Sequence, residues 1–310
     1  MVIRILRSAL LFAALPAMAL PNRVFVASTG MDVGTCPITS PCRSFSYAKQ
    51  QVALDGEIIA LHTAGYGIFE IDQGVSVYAA PGVTAFIAVG SLGVGIDVIT
   101  GPSDAVVIRG LALSGFGALN GIQFDNGHSL SIENCVINGF INGVSMQRND
   151  TSNASVRIEN CTIRNDGNGV ITSNASSTAG LTVVNSVFSD NTDHGVFAEQ
   201  NTRAAISDST FSGNLFGVEA STTHTPNVPQ ATVVRCTLAQ NTWAIMAGGN
   251  YGQALDGIIR IAENLIAANY QGVLENPDGK ILSMTSAGTA TNVIEGNQTD
   301  GTFTGTYSAK

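Results

Sequence analysis

The sequence predicts an all-β protein built as a parallel β-helix of about 8 to 9 coils. Three observations predict this fold: the composition, a repeat of about 25 residues, and three apolar columns that run in phase. The chain has 34 glycines among 310 residues, and only 12% of its residues are charged. This composition is poor for helices and favours short strands joined by tight polar turns.

The repeat is clearest where a small residue precedes a β-branched aliphatic residue. The small residues of this first column are Gly95, Gly121, Gly143, Gly169, Gly195, Gly217, Ala244 and Gly272. A second column comprises Ile108, Ile132, Ile158, Val183, Ile206, Val233 and Ile261. A third column comprises Leu113, Ile137, Ile163, Phe188, Phe211, Leu238 and Ile266. Three columns in phase without helical spacing predict stacked coils of three short strands each, about 4.8 Å apart.

Polar residues recur between the second and third columns, where each coil has to bend. They are Gly110, Asn134, Asn160, Asn185 and Asp208. Asn and Asp side chains can bond to backbone groups that a bend leaves unpaired. We therefore expect a ladder of polar side chains at this bend, with no function of its own.

The first 19 residues are predicted to be a secretory signal peptide. Arg4 and Arg7 precede an apolar run, and Ala17-Met18-Ala19 offers a small-x-small cleavage site. No other apolar run is long enough to span a bilayer. We therefore expect a secreted or periplasmic protein after cleavage near Ala19, with no transmembrane segment.

The remaining chain divides into three predicted parts: an N-terminal cap over residues 20–55, the β-helix over 56–280 and a C-terminal cap or tail over 281–310. In the cap, Phe45, Ala48 and Val52 fall on one face of a predicted short helix that covers the first coil. Cys36 and Cys42 are close in sequence in an exported chain, which predicts a disulfide.

The other cysteines, Cys135, Cys161 and Cys236, share one inward column. We expect buried, reduced thiols and no metal site, because no His or second Cys shares the column. A bridge between Cys135 and Cys161 is the alternative, since these two lie on neighbouring coils. The oligomeric state is left open.

The repeat pattern "I.NC.I…GV", as in residues 158–170, resembles the right-handed β-helix repeats of the pectin-lyase-like superfamily. The resemblance covers about residues 56 to 280 and implies a right-handed coil. The opening residues also resemble the start of exported bacterial β-helix proteins. In superfamily enzymes that act on uronic-acid polymers, substrate lies along the sheet that begins with a Gly-Val strand.

The resemblance therefore implies a candidate site along that sheet and in the turns before it. The candidate substrate-binding residues are Gln123, Asp125, Gln147, Phe197, Glu199 and Glu219. The candidate catalytic residues are Asp166, Asp190, Asp193 and His194. Here an exposed His beside two carboxylates would have a raised pKa, as an acid catalyst requires.

Three functions fit these residues. A glycoside hydrolase needs two flanking carboxyl groups; Asn191-Thr192-Asp193 matches the first polygalacturonase-like motif, but paired aspartates and an Arg-x-Lys do not follow. A lyase would need Ca²⁺, and otherwise no cofactor is expected. We favour polysaccharide binding without catalysis, with a structural or adhesion module and a lyase or hydrolase as alternatives. The net charge of −9 argues against nucleic acid as a partner.

Overall fold

The computed structural model describes residues 19–148, 151–222, 227–248, 256–286 and 289–308. Their strands stack in parallel coils, which confirms the predicted all-β parallel β-helix. The predicted signal peptide lies outside the described residues except for Ala19. Within the described ranges, no helix is long and apolar enough to cross a membrane.

Strands are numbered along the chain. The N-terminal third contains β1 (Arg23–Val26), α1 (Phe45–Lys49), β2 (Gly56–Ala60), β3 (Ala64–Gly65), β4 (Phe69–Ile71), β5 (Val75–Ala79), β6 (Ala85–Val89), β7 (Val94–Ile99) and β8 (Ala105–Arg109). The middle contains β9 (Leu111–Asn126), β10 (Ser129–Glu133), β11 (Val136–Arg148), β12 (Ala154–Glu159), β13 (Thr162–Arg164), β14 (Asn168–Asn174), β15 (Ala179–Val184), β16 (Val187–Ser189), β17 (His194–Ala198), β18 (Thr202–Ser207), β19 (Thr210–Ser212) and β20 (Phe216–Ala220). The C-terminal third contains β21 (Gln230–Val234), β22 (Thr237–Ala239), β23 (Trp243–Ala247), β24 (Gly257–Ala262), β25 (Leu265–Ala267), β26 (Gln271–Glu275), β27 (Gly279–Ser286), β28 (Thr289–Ala290), β29 (Val293–Glu295) and β30 (Gly305–Ser308).

Each coil adds one strand to each of three faces. The first face contains β1, β2, β5, β8, β10, β12, β15, β18, β21, β24 and β27. The second face contains β3, β6, the first halves of β9 and β11, then β13, β16, β19, β22, β25 and β29. The third face, which carries the Gly-Val strands, contains β4, β7, the second halves of β9 and β11, then β14, β17, β20, β23 and β26.

Strand register confirms the three apolar columns. On the first face Ile132 pairs with Ile108 and Ile158. On the second face Phe188 pairs with Phe211, and their rings stack 5.0 Å apart. These large apolar side chains are fully or almost fully buried. Each contributes about 1.5–3 kcal/mol of hydrophobic stabilisation, so the columns form the core.

The bend between the first and second faces differs from the prediction by one residue. Asn134, Asn160, Asn185 and Asp208 have φ between 50° and 54°, the left-handed conformation that Asn and Asp tolerate. The side-chain ladder lies one residue farther along, at Cys135, Cys161, Ser186, Ser209, Cys236, Asn264 and Asn292. The three cysteines in it are free and buried, so the alternative Cys135–Cys161 bridge is not formed.

A second ladder fills the bend between the second and third faces. Its members, called here the inner ladder, are Asp166, Asn191, Asn214, Asn241, Asn269 and Asn297. The backbone N–H of Asn214 donates to Asn241 Oδ1 at 3.1 Å, and the backbone N–H of Asn241 donates to Asn269 Oδ1 at 2.9 Å. Buried backbone donors are thereby paired at each coil.

The short helix and the disulfide predicted for the N-terminal segment are both present. Ser44 Oγ accepts a hydrogen bond from Tyr47 N at the start of α1, and Phe45 and Ala48 are buried under that helix. Cys36 and Cys42 form a disulfide with a Cα–Cα distance of 5.0 Å. Strand β1 pairs with β2, and β30 pairs with β27, so the first face extends into both terminal segments.

Candidate functional site

The third face carries a row of hydrogen-bonded amides on its outer side. This surface amide row consists of Asn120, Asn142 and Asn168, each one residue before a column glycine. Asn168 Nδ2 donates to Asn142 Oδ1 at 2.8 Å, and Asn142 Nδ2 donates to Asn120 Oδ1 at 2.9 Å. The next coil places His194 in the same row, with Nδ1 2.8 Å from Asn168 Oδ1.

His194 also contacts a buried carboxylate. Its Nε2 lies 2.8 Å from Glu219 Oε2, and Ser221 Oγ donates to Glu219 Oε1 at 2.6 Å. An amide oxygen and a carboxylate oxygen are both acceptors, so both ring nitrogens of His194 carry protons. The geometry therefore indicates an imidazolium paired with a carboxylate.

Aromatic rings bury this ion pair. The imidazole stacks on Phe197 at 4.3 Å and on Phe216 at 4.7 Å, and Phe216 stacks on Trp243 at 4.8 Å. The side chains of His194 and Glu219 are only 8% and 6% exposed. The expectation that His194 is exposed is therefore wrong, because Phe216 and Trp243 from later coils continue its stack and cover it.

The pKa of His194 is raised to about 9. Burial alone would lower the pKa, but hydrogen bonds and charge interactions with Asp193 and Glu219 outweigh burial. At neutral pH the imidazole is therefore protonated, and it is neither a free base nor accessible to a bulky substrate.

The four candidate catalytic residues do not share one cleft. Asp193 lies beside His194, with Oδ1 3.3 Å from Nδ1, and its side chain is 43% exposed. Asp190 is exposed at a bend, with φ of 56°. Asp166 is 1% exposed and belongs to the inner ladder, on the opposite side of the coil wall.

Asp166 occupies a position that asparagine fills in the five following coils. Its Oδ1 accepts a hydrogen bond from Phe140 N at 2.8 Å, and Oδ2 has no partner among the described residues. In Asn214 and Asn241 the corresponding Nδ2 donates to a neighbouring amide oxygen and a backbone carbonyl. Burial outweighs the hydrogen bonds from Phe140 and Gly139 and raises the pKa of Asp166 to about 7.

The candidate substrate-binding residues lie on the third face as predicted, but differ in exposure. Asp125 and Gln147 are exposed, whereas Gln123, Phe197 and Glu199 are half-buried. Glu219 is buried against His194. Asn120 Nδ2 donates to Gln123 Oε1, and Gln123 Nε2 donates to Asp125 Oδ2, so the amide row fixes the orientation of these two side chains.

Sequence reasoning missed the row itself. The residues directly before the glycines from Gly121 to Gly217 are Asn120, Asn142, Asn168, His194 and Phe216, with Trp243 before Ala244. Their order along the chain, amides and then rings, was the available signal. The predicted binding residues lie instead two and four positions after each glycine.

Comparison with known proteins identifies the family and the fold. A family model for the periplasmic copper-binding protein NosD matches residues 84–309. No curated protein sequence matches the chain. An alginate lyase from Paenibacillus sp. is similar in structure, with 15% identity, a TM-score of 0.64, and coverage of 89% of this chain and 97% of the lyase.

Two further solved structures are similar. The pectate lyase Pel9A has 14% identity and a TM-score of 0.55, with coverage of 90% of this chain and 72% of that one. XylC, solved with xylose, has 9% identity and a TM-score of 0.58, with coverage of 85% and 69%. At these identities the similarity shows the fold alone, a right-handed parallel β-helix.

The copper in the family description was tested against the side chains of this chain. Copper sites in proteins use His, Cys and Met side chains as ligands. The described ranges contain no group of three or more His, Cys, Asp or Glu that could hold a metal ion. Cys135 and Cys161 are buried in a ladder, and both nitrogens of His194 are engaged. The His, Cys, Asp and Glu side chains of the described residues therefore do not form a copper site.

Replacing Asp166 by Asn tests the inner ladder. The folded-state pKa of Asp166 is about 7, above its ordinary value of 3.8. As pH rises from about 4 to about 7, the unfolded carboxyl ionises first, so wild-type stability falls. In urea unfolding we expect Asp166→Asn to match the wild type near pH 4 and to exceed it by about 4 kcal/mol near pH 8.

The matched control is Asn191→Asp, which adds a second carboxyl to the same ladder. This variant should lose stability as pH rises, in the direction opposite to Asp166→Asn. If the gain in unfolding free energy of Asp166→Asn were the same near pH 4 and near pH 8, Asp166 would not be protonated in the inner ladder.

The pH dependence of stability tests the buried ion pair of His194 and Glu219. The folded-state pKa of about 9 exceeds the ordinary value of 6.5. The pair's contribution is therefore complete below about pH 6.5 and is lost as pH rises through about 9. We expect wild-type unfolding free energy to fall by on the order of 3 kcal/mol across this window, measured by urea unfolding at several pH values.

The control is the double variant His194→Gln/Glu219→Gln, in which two neutral amides replace the pair. Its stability should not show this loss between pH 6.5 and pH 9. An equal loss in the wild type and the double variant would show that other groups titrate there.

Proposed function

Because this chain belongs to the NosD family of periplasmic β-helix proteins, we propose that it is an exported protein that binds polysaccharide along its third face without cleaving it. The observation that supports this most strongly is the preset orientation of exposed polar groups on neighbouring coils. Gln123 accepts a hydrogen bond from Asn120 of the surface amide row and donates one to Asp125, and Gln147 is exposed one coil away.

The chemistry of this surface suits sugar hydroxyl groups. Amides donate and accept hydrogen bonds, and carboxylates accept them, as alternating hydroxyls require. Groups fixed before binding lose little conformational entropy when a ligand binds. Half-buried Phe197 and Trp243 add apolar ring surface on later coils of the same face. A ligand lying along the coil axis would contact both parts.

The same geometry favours binding over catalysis. Glycoside hydrolysis needs two carboxyl groups that flank one bond. Glu219 is buried in its pair with His194, and Asp166 is enclosed in the inner ladder, so Asp193 lacks a nearby accessible partner among these acids. The names of the alginate lyase and the pectate lyase support polysaccharide as the ligand class for the fold, but not the reaction.

A second candidate, the structural or adhesion module, is favoured by one observation. Leu92, Phe116 and Ile141 are 80%, 78% and 46% exposed near the bend between the second and third faces. Exposed apolar side chains on neighbouring coils are typical of surfaces that contact other proteins. Under this function the third face would show no glycan affinity.

Binding to immobilised and soluble glycans tests the proposal. Residues 20–310 should bind at least one of alginate, polygalacturonate, xylan and a neutral glucan in isothermal titration calorimetry. The double variant Asp125→Ala/Gln147→Ala should weaken that binding roughly tenfold, because two ligand hydrogen bonds are removed. Reducing ends and unsaturated products should not accumulate.

The matched control is Thr210→Ala, a substitution of a half-buried residue on the second face. It should leave affinity unchanged. Binding that is insensitive to the third-face variant would show that another face holds the glycan, and product formation would show that the protein is an enzyme.

A further inference from the structure

The first face contains a groove that none of the preceding functions uses. Its volume is about 250 Å³, and it crosses strands β12, β15, β18, β21 and β24. Small side chains form much of its floor, so a ligand can approach the sheet closely. The lining residues are Ser155, Gly180, Leu181, Thr182, Arg203, Ala204, Ala205, Gln230, Thr232 and Arg260.

Two arginines share this groove. Arg203 pairs in register with Gln230, and Thr232 pairs with Arg260 on the next strand. The two arginines are thus two coils apart, about 10 Å across the sheet, and offset by two residues, about 7 Å along it. Side chains of this length can place both guanidinium groups over the same space.

These two arginines differ from the others on the first face. Arg23, Arg109 and Arg157 form ion pairs with Glu57, Glu133 and Glu159 respectively. In the described part of the chain, Arg203 and Arg260 form no ion pair. Arg203 donates to the carbonyls of Thr202 and Val228, and Arg260 donates to Gln230 Oε1.

Neutral acceptors hold the guanidinium groups in place without neutralising them. Each guanidinium has five N–H donors, and the bonds to Thr202, Val228 and Gln230 use only a few of them. Two positive charges therefore remain in one groove of a chain whose net charge is −9. An anionic group is the ligand that these charges complement.

We infer that this groove binds an acidic polysaccharide, with a carboxylate or sulfate group held between Arg203 and Arg260. Thr182, Thr232 and Gln230 provide hydroxyl and amide partners for the hydroxyls of the same sugar. A nucleic acid is disfavoured because its dense charge is repelled by the acidic remainder of the protein. The site is separate from the third face and does not depend on the function proposed there.

Matched polymers test this site. Residues 20–310 are titrated calorimetrically with dextran, dextran sulfate and polygalacturonate. Affinity should be measurable for one or both anionic polymers and absent for dextran, and binding should weaken as salt rises from about 50 mM to about 500 mM. The anionic polymer that binds with higher affinity shows whether the groove prefers sulfate or carboxylate.

Arginine variants then locate the binding. Arg203→Gln and Arg260→Gln should each reduce affinity about tenfold, and the double variant about a hundredfold, because charge-assisted hydrogen bonds are lost. The matched control is Arg157→Gln, since Arg157 lies on the same face but is paired with Glu159.

Three results would overturn the inference. One is equal affinity for dextran and dextran sulfate with no salt dependence. Another is an equal loss in Arg157→Gln and in the groove variants, which would indicate a general charge effect. The third is tighter, Arg203-dependent binding of duplex DNA than of both acidic polysaccharides. Circular dichroism of each variant confirms that the fold is retained.

Discussion

The whole structure depends on the register in which one coil stacks on the next. Parallel strands about 4.8 Å apart pair their backbone groups along the faces, but each bend leaves buried N–H groups without a strand partner. The two ladders supply those partners, because each bend donates its N–H to a side chain of the following coil. If one coil slipped by one residue, the ladder hydrogen bonds would break and the apolar columns would be exposed. The register between coils is therefore strict.

The same stacking repeats on the outer side of the third face. The side chains of the surface amide row hydrogen-bond from one coil to the next. The row ends at His194, which is paired with the oppositely charged Glu219. A buried ion pair is costly unless its remaining donors and acceptors are satisfied. Here Asn168 and Ser221 satisfy them, and the aromatic stack excludes water. The acids and the histidine near residues 190–199 are thereby divided between structural and exposed positions.

The fold was predictable because coils that stack in register require a sequence repeat of about 25 residues. All three columns, the helix α1 and the Cys36–Cys42 disulfide were predictable from spacing and composition. The prediction put the ladder at Asn134 and its equivalents, one residue early, although it placed the neighbouring cysteines inward; those inward side chains form the ladder. The left-handed φ of Asn134 and Asn160 decides this, and composition does not reveal φ.

The candidate site was less predictable, because turn length varies between coils. Three residues separate Asn191 from Gly195, whereas two separate Asp166 from Gly169 and Asn214 from Gly217. The additional residue in the Asn191 coil places Asp193 outside, beside His194, while Asp166 aligns with Asn191 inside. The turns before the column glycines therefore contain acids, such as Asp166 and Asp193, that face opposite sides of the coil wall. The burial of His194 depends on Phe216, which comes from the following coil.

The geometry around His194 indicates a buried ion pair with Glu219, in which the imidazole carries a positive charge. Nitrogen-15 NMR of selectively labelled histidine measures this directly, with His194→Gln identifying the resonance. We expect both ring nitrogens of His194 to remain protonated at neutral pH and to titrate with a pKa of about 9. A neutral tautomer of His194 at pH 7, with a pKa near 6.5, would contradict it.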